Sequence, residues 1–411
     1  MDAKLRRTRG TMPKPPGRQT YHSSVVWGML SILGLAFCWV NALYLLRLVE
    51  QTSTDLQASE VIVHAARANA SVLFEPNQLP HDHTLIHPDK APILNLLQEA
   101  GLDVRTLSSE IVASIPSWSQ VTALYGHQPR IYGMDQGVCD AFQQSSNPAE
   151  HFLGVAGTFN TGTNLLAALL IQNCHLPARI KVHGPGSPGI RWQVPWGKHT
   201  PVDDEDFRQR HKAAHDQDLE ADNVLAAVAI RDPAVWMASM CRHPYAMRWQ
   251  LTARKDTNGT IHCPHFVMEE TDGTNHSVPV HVRYSNFTRH YESMVHHWNE
   301  WYGAYLDVSW PRLLLRFEDL IFHPRQVTQK VCECAGGKLN SGPFRYMVES
   351  AKKGAVHGTK KTNYVDAIVR YGTSNHHWKG MSRADLAYVK QHLDPRLMQI
   401  FGYSYPTQPD M

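Results

Sequence analysis

A glycine-rich turn, Gly157-Thr-Phe-Asn-Thr-Gly162-Thr163-Asn164, stands between two apolar runs, Phe152 to Ala156 before it and Leu165 to Ile171 after it. A short apolar run, a tight turn and a second apolar run read as buried strand, loop and helix. Such a junction aims successive backbone N–H groups and a helix N-terminus at one point, which suits an anion. The candidate ligand-holding residues are therefore Gly157, Thr158, Phe159, Asn160, Thr161, Gly162, Thr163 and Asn164.

Two more apolar runs, Val224–Ile230 and Leu313–Phe317, have the look of buried parallel strands, with helical patterns between them. The expected fold is α/β, with three layers around a central parallel sheet. Ligands in such sheets bind beyond the carboxyl ends of the strands. The residues there are the glycine turn, Arg231-Asp232-Pro233 and Glu318-Asp319. Arg231 leaves its strand with a guanidinium, and Ser239 follows two helical turns later. Together they could grip one phosphate, although an arginine so placed could equally cap a carboxylate. The glycine spacing is that of a nucleotide loop, G-x4-G, but a nucleoside triphosphatase then needs Lys and Ser or Thr. Here Thr163 and Asn164 follow, so the loop suits a phosphate held without magnesium triphosphate chemistry. A P-loop kinase remains the enzymatic alternative.

The N-terminus indicates an address. Residues 1–22 form a basic tail with Lys4, Arg6, Arg7, Arg9, Lys14 and Arg18 against Asp2. The uncharged run from Val25 to Leu46 is long enough to span a bilayer at about 1.5 Å per residue. A signal anchor at 23–47 with its basic side cytosolic would place the remainder in a lumen. A lumenal stem is expected over 48–148 and a catalytic domain over 149–405. Four sequons agree with that compartment: Asn69, Asn258, Asn275 and Asn286. So do six cysteines beyond the apolar run, which permit three disulfides in fifteen possible pairings. The formal charge of +3 gives no case for nucleic acid. His262-Cys263-Pro264-His265, Cys332-Glu-Cys334 and His376-His377 are weak metal signals, and no metal is expected.

The pairing of Gly157–Asn164 with Ile230-Arg-Asp-Pro-x5-Ser239 resembles the sulfotransferases that use 3′-phosphoadenosine 5′-phosphosulfate. The stretch from Trp298 to Pro324 is similar to that family's W…Y…RFEDL…P segment. Arg370-Tyr-Gly372, with Trp378-Lys379 and Ser382, resembles its late R-x-G…W-K segment, and Leu393 to Tyr403 its ending. The resemblance implies a loop that holds the 5′-phosphosulfate, and a 3′-phosphate held by Arg231, Ser239, Arg370 and Gly372. Trp196-Gly-Lys198-His199-Thr-Pro201 resembles the family's K-x-H-x-P segment with the spacing one residue short, which makes His199 the candidate base. Many family members carry Lys or Arg two residues before the second glycine of the loop, where this chain has Asn160. Lys198 is the candidate substitute for that charge.

By the same analogy the expected reaction is sulfuryl transfer to a hydroxyl or amine, most naturally of a glycan, by a type II protein of the Golgi membrane. A nucleotide-binding pseudo-enzyme without turnover is the non-enzymatic alternative, and Asn160 is its basis. Residues 244–291 match no family motif and are expected as an insertion near the acceptor cleft. Oligomeric state is not legible in the chain.

Overall fold

The computed structural model describes residues 87–145, 147–249, 254–255, 261–263, 266–269, 275–284, 287–351, 363–373 and 381–406. The basic tail, the expected anchor at 23–47, the stem up to residue 86, three sequons (Asn69, Asn258 and Asn286), His376-His377 and Trp378-Lys379 lie outside the described residues. Among the described residues, no helix is long and apolar enough to cross a membrane.

Five strands form the central sheet: β1 (Ile131–Tyr132), β2 (Phe152–Ala156), β3 (Ile190–Arg191), β4 (Val224–Ile230) and β5 (Arg312–Arg316), in the order β1-β5-β4-β2-β3. All neighbours run parallel except β1, which lies antiparallel on β5. The third apolar run thus starts one residue early, at Arg312, and Phe317 falls just past the strand. There its N–H donates to Ile230 O at 2.7 Å.

The helices that matter are α1 (Thr163–Asn173), α2 (Pro233–Arg242), α3 (Met294–Asp307), α4 (Pro324–Cys334) and α5 (Tyr364–Tyr371). Strand side chains alternate between faces. On one face, Val224, Ala226, Val228 and Ile230 pack with Trp236 of α2 and with Trp298, Trp301 and Tyr305 of α3. On the other, Leu225, Ala227 and Ala229 meet Leu166, Leu169 and Leu170 of α1 and Val327 and Val331 of α4. A strand covered on both faces must be apolar at every position, which is why β4 reads as an unbroken apolar run. Full burial of a leucine such as Leu225 contributes roughly 1.5–3 kcal/mol.

The expectation of a stem up to residue 148 needs correction. Residues 88–144 fold with the sheet. Helices Ala91–Glu99 and Trp118–Tyr125 bring Ile93, Leu97, Val121 and Tyr125 against Phe317, Ile321, Phe322, Tyr364, Ile368 and Tyr371. Ser117 and Gln120 close a capping box at the start of the second helix. Tyr125 OH donates to Tyr371 O at 2.8 Å, and Arg316 Nη2 donates to Tyr125 O at 2.7 Å.

The six cysteines pair as Cys139–Cys334, Cys174–Cys332 and Cys241–Cys263. The two weak metal signals built on Cys263 and on Cys332 with Cys334 are therefore occupied by disulfide sulfur. Among the described residues, no cluster of His, Cys, Asp and Glu is suited to a metal. Within 244–291, strands Met247–Trp249, Val280–Arg283 and Thr288–Tyr291 form a separate three-stranded antiparallel sheet. Met247, Trp249, Val280, Val282 and Tyr291 turn inward to the same core as α2 and α3, while the intervening residues face outward. Asn275, the described sequon, opens the strand Asn275–Ser277.

Candidate active site

The turn from β2 to α1 needs its glycines. Gly157 has φ of 149°, and a Cβ there would lie 2.7 Å from Ala229 O. Gly162 has φ of 82°, and its Cβ would overlap the Phe317 ring. Asn160 takes the left-handed region with φ of 62°, which asparagine tolerates better than most residues.

Four successive loop carbonyls each accept a hydrogen bond from a side chain. Gly157 O accepts from His199 Nδ1 at 2.6 Å, and Thr158 O from Thr161 Oγ1 at 2.7 Å. Phe159 O accepts from Trp236 Nε1 at 2.7 Å, and Asn160 O from Arg231 Nη1 at 2.6 Å. With the carbonyls held this way, the N–H groups of Thr161, Gly162 and Thr163 donate to no acceptor among the described residues. Free N–H groups at a helix N-terminus form an anion cradle.

Arg231 is 5 % exposed and sits just past β4. Besides Asn160 O it grips Tyr371 OH at 2.6 Å, lies over the rings of Phe317 and Tyr371, and leaves its buried Nε without a partner among the described residues. Asp232 starts α2 by accepting from Val235 N, and Pro233 fills the first helical position. Ser239, further along α2, donates from its hydroxyl to Val235 O at 2.9 Å. Arg242, one turn further on, donates to Ser239 Oγ at 3.0 Å. Much of Arg242 is open to solvent, yet burial of its head group and then the like charges of Arg370 and Arg231 lower its pKa to about 10. Arg370 lies in the last turn of α5 and is exposed, and Gly372 is packed against Pro116.

Lys198 is 6 % exposed. Its ammonium donates to Asn164 Oδ1 at 3.1 Å and lies 3.9 Å from the centre of the exposed Trp192 ring. Burial lowers its pKa to about 8. Burial likewise lowers that of the neighbouring His199, to about 4, and the His199 ring lies 4.5 Å from that of Phe159. The Asn160 amide faces elsewhere: it donates to His243 O at 2.8 Å and Ser239 O at 3.3 Å, at the end of α2. Lys198, not Asn160, is therefore the side chain that reaches the first turn of α1.

Several groups here were not singled out in the sequence. Arg242 could have been found from its one-turn spacing after Ser239. Tyr371, next to Arg370, had no such signal. His297 is fully buried on α3; its Nε2 lies 3.1 Å from Thr158 Oγ1, and its Nδ1 has no partner among the described residues. Glu318 and Asp319, by contrast, serve the scaffold. Glu318 accepts from Asp232 N–H and Tyr403 OH, and its pKa is raised to about 7 by burial and then by Asp232. Asp319 makes a bidentate pair with the buried Arg316.

Residues 230–405 match the family model of the sulfotransferase domain. The chain is an enzyme of the sulfotransferase type. Sulfotransferase domains in general use 3′-phosphoadenosine 5′-phosphosulfate as donor. The matched span starts at Ile230, at the end of β4, so it includes Arg231, Ser239, Arg242 and Arg370. The glycine loop, Lys198 and His199 precede it. No curated protein and no solved structure matches the chain.

Proposed function

We propose that this sulfotransferase moves a sulfuryl group from 3′-phosphoadenosine 5′-phosphosulfate to a hydroxyl or amine of a glycan, in the Golgi lumen, anchored through residues 23–47. One observation carries the reading. Arg242 donates to Ser239 Oγ and feels the charges of Arg370 and Arg231, and Arg231 also touches the glycine loop, where the N–H groups of Thr161, Gly162 and Thr163 donate to no acceptor among the described residues. Two adjoining anion sites fit a donor with a 3′-phosphate at one end and a phosphosulfate at the other. The buried, unpartnered Nε of Arg231 supports the same fit.

In this scheme the loop N–H groups, with Thr163, hold the phosphosulfate, and the arginines with Ser239 and Gly372 hold the 3′-phosphate. An acceptor oxygen or nitrogen attacks sulfur in line, and the bond from sulfur to the bridging oxygen breaks. Adenosine 3′,5′-bisphosphate leaves. The Lys198 ammonium, at the first turn of α1, supplies charge to the leaving oxygen in place of the loop cation. His199 donates from Nδ1 to Gly157 O, which leaves Nε2 with a lone pair for the acceptor proton. Its lowered pKa keeps the ring neutral at lumenal pH. The lumenal address is supported by three disulfides, which persist in oxidising compartments.

The test is transfer of labelled sulfate from the donor by the full-length protein to a panel of glycans, tyrosine peptides and lipid head groups. Transfer to a glycan supports the proposal. Label appearing only on peptide or lipid overturns the acceptor, and preference for magnesium ATP over adenosine 3′,5′-bisphosphate overturns the donor.

A further inference from the structure

The residues 244–291 carry a surface that the transfer chemistry does not use. In their three-stranded sheet, Arg248, His281 and His290 stand opposite one another on neighbouring strands. All three are exposed, as are Arg283 and Thr288 on the same face. Three adjacent strands span roughly 10 Å. The outward face of the described strands thus presents two arginines, two histidines and a threonine, with no carboxylate. Among the described residues, Arg248 donates to the backbone carbonyls of Tyr245 and Met247 alone, and the Arg283 side chain has no partner. The histidines meet each other, Nδ1 to Nδ1 at 2.6 Å, and neither ring has another hydrogen bond among the described residues. A concavity of about 460 Å³ lined by Ala246, Arg248, Arg283 and Tyr284 opens on this face. Arg289, next in the chain, is instead paired with Asp203.

Tyr245, whose carbonyl accepts from Arg248, links this sheet to the glycine loop. The Tyr245 ring stacks on Phe159 at 5.7 Å, and Phe159 lies on His199. The Cys241–Cys263 disulfide ties the end of α2 to the same insertion.

We infer that the outward face of this sheet is a docking site for an anionic polysaccharide, a polymer with carboxylate or sulfate groups, which it delivers across Tyr245 to the transfer site. The inference rests on the proposed glycan acceptor and narrows it to an acidic one. Arginines without counterions among the described residues, on two neighbouring strands with the histidines beside them on the same face, suit a repeating anion rather than a single small one. Their attraction is steered and screened by salt.

The experiment uses the full-length protein and a sulfated glycosaminoglycan oligosaccharide of defined length as probe, with neutral dextran and anionic phospholipid vesicles as comparators. Binding of the oligosaccharide should be detectable at about 0.1 M salt, where the screening length is near 10 Å, and weaken as salt rises. Arg248→Ser with Arg283→Ser should weaken it at least tenfold. Binding of adenosine 3′,5′-bisphosphate should not change, because neither arginine touches the donor site. Wild-type affinity in the double variant overturns the docking face, as does equal binding of dextran. Equal or tighter binding of the vesicles also overturns it, in favour of a lipid surface. If the oligosaccharide docks and the double variant releases it while no glycan is sulfated, the docking face stands and the proposed activity fails.

Discussion

Lys198 Nζ lies 3.1 Å from Asn164 Oδ1, at the first turn of the helix that leaves the glycine loop. Thus a positive charge that the loop itself lacks lies close to it, on the segment that follows β3. Lys198→Ala is expected to lower kcat by about 10²–10³-fold, the usual worth of a lost electrostatic donor, with donor affinity little changed. The ammonium is present below a pKa of about 8 and lost above it. The rate should therefore fall as pH rises through about 8. Lys198→Arg should keep much of the rate and remove that fall, because arginine does not titrate there. An unchanged basic limb in Lys198→Arg would assign it to another group.

Arg231 and Arg370, whose charges both reach Arg242, differ in burial, so their loss should differ in kind. Arg370 is exposed, and Arg370→Ala should weaken adenosine 3′,5′-bisphosphate about tenfold or more while leaving the melting temperature unchanged. Arg231 is buried and holds Asn160 O and Tyr371 OH, so Arg231→Ala should weaken the same ligand and also lower stability. Adenosine 5′-monophosphate, which lacks the 3′-phosphate, should be affected little by Arg370→Ala. Calorimetric titration with both nucleotides makes the comparison, and equal losses for both would disprove a 3′-phosphate role for Arg370.

Gly162→Ala should abolish donor binding. Its φ of 82° costs an L-residue about 1–2 kcal/mol, and the new methyl would overlap the Phe317 ring. Phe317→Leu in the same chain should recover part of the binding by removing that ring. Recovery is the informative result, since strain in the backbone alone would leave the double variant as poor as the single one.

Much of the layout was legible because burial on both faces leaves a plain signature. Phe152–Ala156 and Val224–Ile230 are strands to the residue. The edge strands Ile131–Tyr132 and Ile190–Arg191 were not legible, since two residues carry no period. Helices between 88 and 144 were read as stem because each is short and shows its apolar stripe only against Phe317 and Tyr371. At the site, Gly157, Gly162, Arg231 and Ser239 follow from local spacing. The role of Tyr371 did not, because it depends on a contact from residue 231 to residue 371 that no local pattern encodes. The same holds for His297 beneath Thr158, 139 residues away.

Two histidines under the loop should make stability fall in acid. His297 has its pKa lowered to about 3, by burial and then by Arg289, and His199 to about 4, chiefly by burial. An unfolded histidine titrates near 6.5. As pH drops below about 6.5, the unfolded chain binds protons that the folded chain refuses, so stability falls by up to about 1.4 kcal/mol per pH unit for each histidine. The loss should flatten only near pH 3–4, where the folded rings accept protons. Above about 6.5 neither ring should contribute a slope. His297→Gln keeps a donor for Thr158 Oγ1 but removes one titrating group. It should lower stability at neutral pH while making the decline between about pH 6.5 and 4 shallower. Chemical denaturation across this range measures both quantities. A slope identical to that of the unsubstituted protein would mean that His297 is not held neutral by its burial.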